Sequence, residues 1–246
     1  MKKYLPLFLF LIGVLVLGAV FFFIARSTKE TQAPPDESEK VAEVPLIDRP
    51  VATLMPSADG HWLKLKIEKI KISAITLDYE LLYTLPDGRT QGVPGSTDIK
   101  GESSFERDLL LGSESSGKFR YDEGVEEGTL TLKFRNDMGK LVAKFVTKWH
   151  LQSNTKEITS VDGKFKATLK KTPTKTFFVT METFGVPGEP PMAPTAGPWG
   201  VLSSAKASLS ATIQMGTAKV YRWSGTKWVE VKDGASDLGI FIGTSE

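Results

Sequence analysis

The stretch LKLKIEKIKISAITLDYELLYTLPDG, residues 63–88, predicts the fold class of this chain. Apolar and charged residues alternate from Leu63 to Glu68, and apolar and polar residues alternate again over residues 75–83. A period of two places one face of a strand on a core and leaves the other face in water. The stretch closes on a Pro-Asp-Gly turn, so it predicts two half-buried strands that end at a turn.

The same periodicity continues to the end of the chain. A change of phase after Glu68 predicts a bulge near Glu68 and Lys69. Since no segment beyond residue 50 keeps a helical period, we predict an all-β fold, with strands spaced as in an immunoglobulin-like β-sandwich. A proline-rich loop is predicted over residues 185–198, because proline is disfavoured in a strand interior. Further strands are predicted at residues 105–111, 118–121, 129–135, 140–151, 165–170, 177–184, 201–215, 218–223, 228–232 and 238–242.

The sequence Gly-Val-Pro-Gly occurs twice, at residues 92–95 and 185–188. It indicates either a duplicated domain or the chance recurrence of a glycine-proline loop. The predicted strands divide about equally between the two halves of the chain. We therefore predict two β-sandwich domains, 51–155 and 156–246, with one continuous β domain, 51–246, as the alternative.

Residues 4–25, YLPLFLFLIGVLVLGAVFFFIA, carry no charge and are bracketed by basic residues. At 1.5 Å per residue they make a helix of roughly 33 Å, enough to cross a hydrocarbon core of about 30 Å. We predict a transmembrane signal-anchor helix over residues 1–25, in contact with the membrane through residues 4–25. One alternative is a cleaved signal peptide, because Ala25 and Ser27 have the small-x-small spacing of a cleavage site. A buried globular helix is the other.

Residues 26–50 are polar and rich in proline and charge, with few apolar side chains to bury. Such a segment cannot offset the entropy of ordering, so it predicts a flexible stalk. The basic residues on the two sides of the apolar run nearly balance, which leaves its orientation open by charge alone. A short basic head, one apolar span and a large domain after it favour an extracytoplasmic C-terminal body at the plasma membrane.

Composition and motifs exclude several classes of function. The chain has no cysteine, which excludes disulfides and thiolate metal sites, and 31 basic against 29 acidic residues give a net charge of +2. Without a basic stripe, nucleic acid is not a predicted partner. His61 and His150 have no partner at ligand spacing, and His150 is predicted to face solvent. The acidic run YDEGVEEG, residues 121–128, predicts an exposed loop. We predict no catalytic residue, no cofactor and no metal site.

The most informative local motif is VYRWSGTKWVEV, residues 220–231. Over this dozen residues it resembles the short Trp-flanked hairpins of bacterial and phage surface proteins, which identifies no family. Symmetric pairing places Trp223 opposite Trp228, Tyr221 opposite Glu230 and Lys219 opposite Lys232. The other face carries Val220, Val229 and Val231. Tyr221, Trp223 and Trp228 are therefore either a candidate interaction patch or the buried side of the hairpin.

These inferences combine into one hypothesis. We expect a single-pass, membrane-anchored, extracytoplasmic β-sandwich protein that binds or scaffolds at the cell surface and is not an enzyme. Its partner is an unidentified protein or a cell-wall glycan, and a cell-wall or glycan-binding module is the first alternative. A hydrolase is the less favoured one, and secretion after signal cleavage is the alternative localisation.

Overall fold

A computed structural model describes residue 41 and residues 43–245. Strands dominate these residues, which confirms the all-β class. Two short 3-10 turns, Leu46–Asp48 and Lys232–Gly234, also lie within them. No helix in this part of the chain has the length and apolarity needed to span a bilayer. The predicted anchor, and the predicted stalk up to residue 40, lie outside the described residues.

Eighteen strands follow one another along the described chain. They are β1 (Val51–Pro56), β2 (Trp62–Glu68), β3 (Thr76–Thr84), β4 (Thr90–Asp98), β5 (Phe105–Leu110), β6 (Gly112–Ser115), β7 (Lys118–Tyr121), β8 (Glu127–Arg135), β9 (Leu141–Ser153), β10 (Glu157–Thr159), β11 (Lys166–Leu169), β12 (Phe177–Glu182), β13 (Ala196–Ser203), β14 (Ser210–Gln214), β15 (Lys219–Trp223), β16 (Trp228–Glu230), β17 (Ala235–Asp237) and β18 (Ile240–Thr244).

The strands form four antiparallel sheets. The largest has nine strands in the order β16-β15-β18-β13-β12-β9-β8-β3-β4. A three-stranded sheet, β1-β2-β5, and a four-stranded sheet, β10-β11-β14-β17, accompany it. The hairpin β6-β7 is a two-stranded sheet of its own.

Two separate cores lie on opposite faces of the nine-stranded sheet, and β12 contributes to both. Val179 and Met181 belong to the core beneath the three-stranded sheet, whereas Phe178 belongs to the core beneath the four-stranded sheet. Successive side chains of a strand point to opposite faces, so β12 is buried on both sides. We call the face toward the three-stranded sheet the first face and the other the second face.

The nine-stranded sheet runs through the predicted domain boundary. Strand β9 extends to Ser153, and β12 pairs with it from Phe177↔Ser153 to Met181↔Trp149. The second core lies within 156–246, whereas the first core contains residues of both predicted domains, and both domains contribute strands to one sheet. The division into 51–155 and 156–246 stays a prediction, as does the single-domain alternative.

The last residues of the predicted stalk contact the β body. Arg49 donates from Nε to the Val44 carbonyl at 2.7 Å, and its guanidinium meets the Glu43 carboxylate at 3.1 Å. Lys71 reaches Asp48 at 3.0 Å. Val44 also packs against the first core. The described end of this segment is therefore held by specific contacts.

Strand β4 was not predicted, because its Gly92, Pro94 and Gly95 are typical of a loop. It is an edge strand of the nine-stranded sheet, where proline is tolerated because one side of the backbone needs no partner. Gly95 pairs with Tyr79, and a Cβ at Gly95 would lie 2.2 Å from the Tyr79 ring. The aromatic ring therefore fills the space that a side chain would occupy in this strand.

Three further predictions about the strands are wrong. Pro198, predicted to lie in a loop, is in β13 next to a register shift between Ala196 and Trp199, and such a bulge accommodates a residue without a backbone donor. The segment 201–215 is two strands that belong to different sheets. At Lys69 the chain takes a positive φ of 56° just after β2 ends, so the change of phase marks a strand end rather than a bulge.

The two halves do share a repeated turn, although the Gly-Val-Pro-Gly sequences are not equivalent. Residues 92–95 lie in β4, while residues 185–188 lie in the loop after β12. The repeat is Ser57-Ala-Asp-Gly-His-Trp62 between β1 and β2, and Ser160-Val-Asp-Gly-Lys-Phe165 at the β10–β11 turn. In each, the serine hydroxyl donates to the aspartate and accepts from the backbone N–H of the closing aromatic residue at 3.0 Å.

Candidate functional site

The hairpin of the predicted aromatic patch forms as the sequence indicated. Tyr221 pairs with Glu230 and Trp223 with Trp228, which confirms the predicted register. The predicted pair of Lys219 with Lys232 does not form, because β16 ends at Glu230; on the other edge of β15, Lys219 pairs with Thr244 of β18. The hairpin is thus the outer end of the nine-stranded sheet.

The three aromatic residues of the patch are partly buried. The Trp223 and Trp228 rings meet edge to face with centroids 5.4 Å apart. Trp228 Nε1 donates to the Gly188 carbonyl at 3.1 Å, and a Cβ at Gly188 would lie 2.5 Å from the Trp223 ring. The loop after β12 therefore packs on the tryptophan pair, which clamps hairpin and loop together.

The valines occupy the other side of the hairpin. Val220 and Val231 pack against the second core, whereas Val229 is 43% exposed. Tyr221 pairs with Ile242 on the first face. The interaction role of Tyr221, Trp223 and Trp228 stays a prediction, and their contacts give them a structural role beside it.

The two histidines lie in different surroundings. His61 stacks on Tyr121 with centroids 4.1 Å apart and ring planes 11° from parallel. His150 is half-buried, and its Nδ1 lies 2.8 Å from the Thr159 carbonyl oxygen of β10. The prediction that His150 faces solvent is wrong, because the four-stranded sheet lies over that end of β9.

Sequence reasoning missed an aromatic cluster on the β6–β7 hairpin. Phe119 is 46% and Tyr121 37% exposed. Their rings are nearly parallel, and Trp62 meets Phe119 edge to face at 5.6 Å. Since His61 covers one face of Tyr121, the cluster pins the hairpin to the start of β2 and leaves its ring edges open. The alternating residues 118–121, KFRY, were the available signal.

The predicted acidic loop has one structural carboxylate. Asp122 accepts a hydrogen bond from the Tyr83 hydroxyl at 2.9 Å. Burial raises the pKa of Tyr83, and the bond to Asp122 raises it further. Glu123, Glu126 and Glu127 are exposed. Within the described residues, no three His, Asp or Glu side chains converge as metal ligands would.

A cleft opens where β12 ends, beside the area that the four-stranded sheet covers. Three adjoining cavities, of about 390, 770 and 240 Å³, are all lined by Glu182, the last residue of β12. The smallest lies between Val146 and Lys148 of β9 on one side and residues 161–164 of the β10–β11 turn on the other. We call this region the Glu182 cleft.

Most charged side chains of the Glu182 cleft have partners. Lys164 pairs with Asp162 at 3.2 Å, Lys166 with Glu157 at 2.7 Å, and Arg49 with Glu43 at 3.1 Å. Lys144 also takes part in a polar interaction. These pairs form the walls of the cleft, whose lining as a whole carries more basic than acidic side chains.

The side chains of Glu182 and Lys148 make no hydrogen bond or ion pair with any described residue. Since Met181 pairs with Trp149, the next residue on each strand places Glu182 beside Lys148 on the second face. Burial raises the pKa of Glu182, and the charge of Asp162 adds to this, against smaller opposite effects of Lys164 and Arg49. The cleft thus presents one hydrogen-bond acceptor and one donor side by side, both open to a ligand.

The cleft could not be located from the sequence. Glu182 ends a strand, FFVTME, that is apolar on both faces, and Lys148 follows an alternation typical of a solvated face. Lys148, Glu182 and the turn at Asp162 come together only because the four-stranded sheet packs on the nine-stranded sheet. Comparison of the chain with known protein families, curated proteins and solved structures found no match. Functional inference therefore depends on the chemistry of the described surface.

Proposed function

We propose that this chain is a single-pass, membrane-anchored protein whose β body lies outside the cytoplasm and binds a partner without catalysing a reaction. The Glu182 cleft carries the proposal, because an accessible carboxylate and ammonium that have no partner among the described residues, at a concave surface, are suited to holding a ligand. The apolar run at residues 4–25, with its short basic head, supports the membrane anchor.

An immunoglobulin-like sandwich belongs to the same proposal. Its support is that each half packs an antiparallel sheet face to face on part of the nine-stranded sheet. Sheets packed in this way around alternating apolar side chains are the general architecture of sandwich domains.

Protease accessibility tests the localisation. Protease added to intact protoplasts should digest the chain beyond Arg26, while a cytoplasmic marker stays intact. Detergent permeabilisation is the matched control, since it exposes the body from either side of the membrane. Protection of the body in intact protoplasts would refute the extracytoplasmic location.

A cell-wall or glycan-binding module is the second candidate, and the Glu182 cleft favours it. Donor and acceptor side chains stand side by side in this cleft, and such a mixture matches the hydroxyl groups of a saccharide. Sedimentation with isolated cell wall tests it: the full chain in detergent micelles should sediment with the wall. Equal sedimentation of an unrelated single-pass membrane protein would show that retention is nonspecific.

A further inference from the structure

Two charged side chains of the Glu182 cleft limit the kinds of ligand that can bind there. Lys148 and Glu182 have no side-chain partner in the part of the chain that the structure describes. They carry opposite charges and line the same cavity, yet they do not pair with each other. A ligand group that fits between them has to donate to a carboxylate and accept from an ammonium. A purely anionic or purely cationic group satisfies only one of the two.

The surroundings of the two side chains also bear on the ligand. Strand β9 pairs with β12 only from Trp149 to Ser153, so Val146 and Lys148 lie where β9 pairs with β8 alone. The 240 Å³ cavity beside them is lined by side chains of β9, of the β10–β11 turn and of Glu182. A ligand that carries many hydroxyl groups can contact several of these side chains at once.

An apolar contact is also present. Val146, two residues before Lys148 on β9, points to the same face and is 55% exposed. It lines both the 240 Å³ cavity and the neighbouring 390 Å³ cavity. A saccharide ring offers apolar C–H groups on its faces and hydroxyl groups at its rim, which matches a valine flanked by charged side chains.

We propose that the Glu182 cleft binds a neutral oligosaccharide, with Glu182 accepting a hydrogen bond from one hydroxyl group, Lys148 donating to another, and Val146 contacting the ring. Hydrogen bonds to charged groups are roughly twice as strong as neutral ones, so the two side chains dominate the affinity. The adjoining cavities of about 390 and 770 Å³ extend the site, so that more than one sugar unit fits. This inference rests on the glycan-binding candidate above and names its site.

Calorimetric titration of the full chain in detergent micelles tests the proposal. Chitotetraose and cellotetraose are the saccharide probes, and the dipeptide Ala-Ala is the zwitterionic probe that could also join Lys148 to Glu182. We expect at least one tetrasaccharide to bind, and Glu182→Ala and Lys148→Ala each to weaken binding at least tenfold. Glu182→Gln keeps the shape and one acceptor, so its loss should be smaller.

The control variants are Glu80→Gln and Lys118→Ala, which change a carboxylate and an amine elsewhere on the surface and should leave affinity within twofold. Circular dichroism should show the same fold for every variant, since the altered side chains are accessible and make no internal pair. Tetrasaccharide binding that survives both alanine changes, tighter binding of Ala-Ala, or no binding of either saccharide would overturn the proposal. If neither saccharide binds, retention of the chain on isolated cell wall would still support the binding function. Protection from protease would contradict only the proposed localisation.

Discussion

Trp228 allows the clamp reading of the aromatic hairpin to be tested by a single substitution. Trp228→Ala removes the edge-to-face contact with Trp223, the hydrogen bond to the Gly188 carbonyl, and part of the apolar burial. The ring contact stabilises the fold by about 0.5–1.5 kcal/mol beyond the burial of apolar area, and the hydrogen bond by about 0.5–1.5 kcal/mol. Replacing a fully buried tryptophan by alanine costs about 3–5 kcal/mol. Since Trp228 is only partly buried, we expect about 2 kcal/mol.

The double variant Trp223→Ala/Trp228→Ala should lose less than the sum of the single losses, because the ring contact is counted in both. Val229→Ala is the matched control: it lies on the opposite side of the same strand and is 43% exposed, so it should stay within about 0.5 kcal/mol. Unfolding in urea, followed by far-ultraviolet circular dichroism, measures five proteins: the wild type, the two single tryptophan variants, the double variant and Val229→Ala. A double variant as stable as the wild type would refute the clamp, and loss of wall retention in such a variant would identify the predicted interaction patch instead.

Three further predictions test other parts of the structure. Gly128→Ala would place a Cβ 2.0 Å from the Leu82 carbonyl oxygen and 2.5 Å from the Trp149 ring, so it should cost at least about 1–3 kcal/mol, whereas Gly239→Ala, with its nearest contact at 3.7 Å, should be close to neutral in thermal unfolding. Tyr83→Phe loses the hydrogen bond to Asp122 and should cost about 1.5–3 kcal/mol, while Tyr121→Phe, whose ring is exposed and whose hydroxyl makes no bond with any described residue, should not change the urea midpoint. The folded protein raises the pKa of Glu182 above the ordinary 4.5, so protonation of this carboxyl stabilises the fold. This contribution is complete below pH 4.5 and is lost as pH rises through the folded pKa. Glu182→Gln should therefore be more stable than the wild type at pH 7, with the difference closing toward pH 4; a difference that stays constant with pH would contradict this.

Much of the fold could be predicted because a period of two is a local signal. Strands such as β3 and β7 were placed within a residue or two from their alternation alone. Strand β4 was missed because its glycines and proline carry the signature of a loop, and only the edge position and the Tyr79 ring make a strand of them. It could not be predicted that two cores share one sheet. The sequence of a strand that is apolar on both faces, such as β12, does not indicate which sheet packs on each face.

The candidate sites also depend on contacts between residues that are far apart in the sequence. The tryptophan hairpin is local, so its register followed from symmetry, but its contact with Gly188 joins residues 40 positions apart. Glu182 and Lys148 are separated by a long connection and become neighbours only through the pairing of β12 with β9. The repeated Ser-x-Asp-Gly turn was present in the sequence as SADGHW and SVDGKF, and it would have given a better alignment of the halves than the Gly-Val-Pro-Gly pair.

That repeated turn also explains why the two halves present different surfaces at equivalent places. In both copies the aspartate is fixed by a serine hydroxyl and by a backbone N–H two residues later, so the residue at the fifth position is held in the same local geometry. In the first copy it is His61, which stacks on Tyr121 and closes the surface with the β6–β7 hairpin. In the second copy it is Lys164, which pairs with Asp162. Both residues line the Glu182 cleft. A wall that is already fixed by internal hydrogen bonds loses little freedom when a ligand binds, which favours affinity from few contacts.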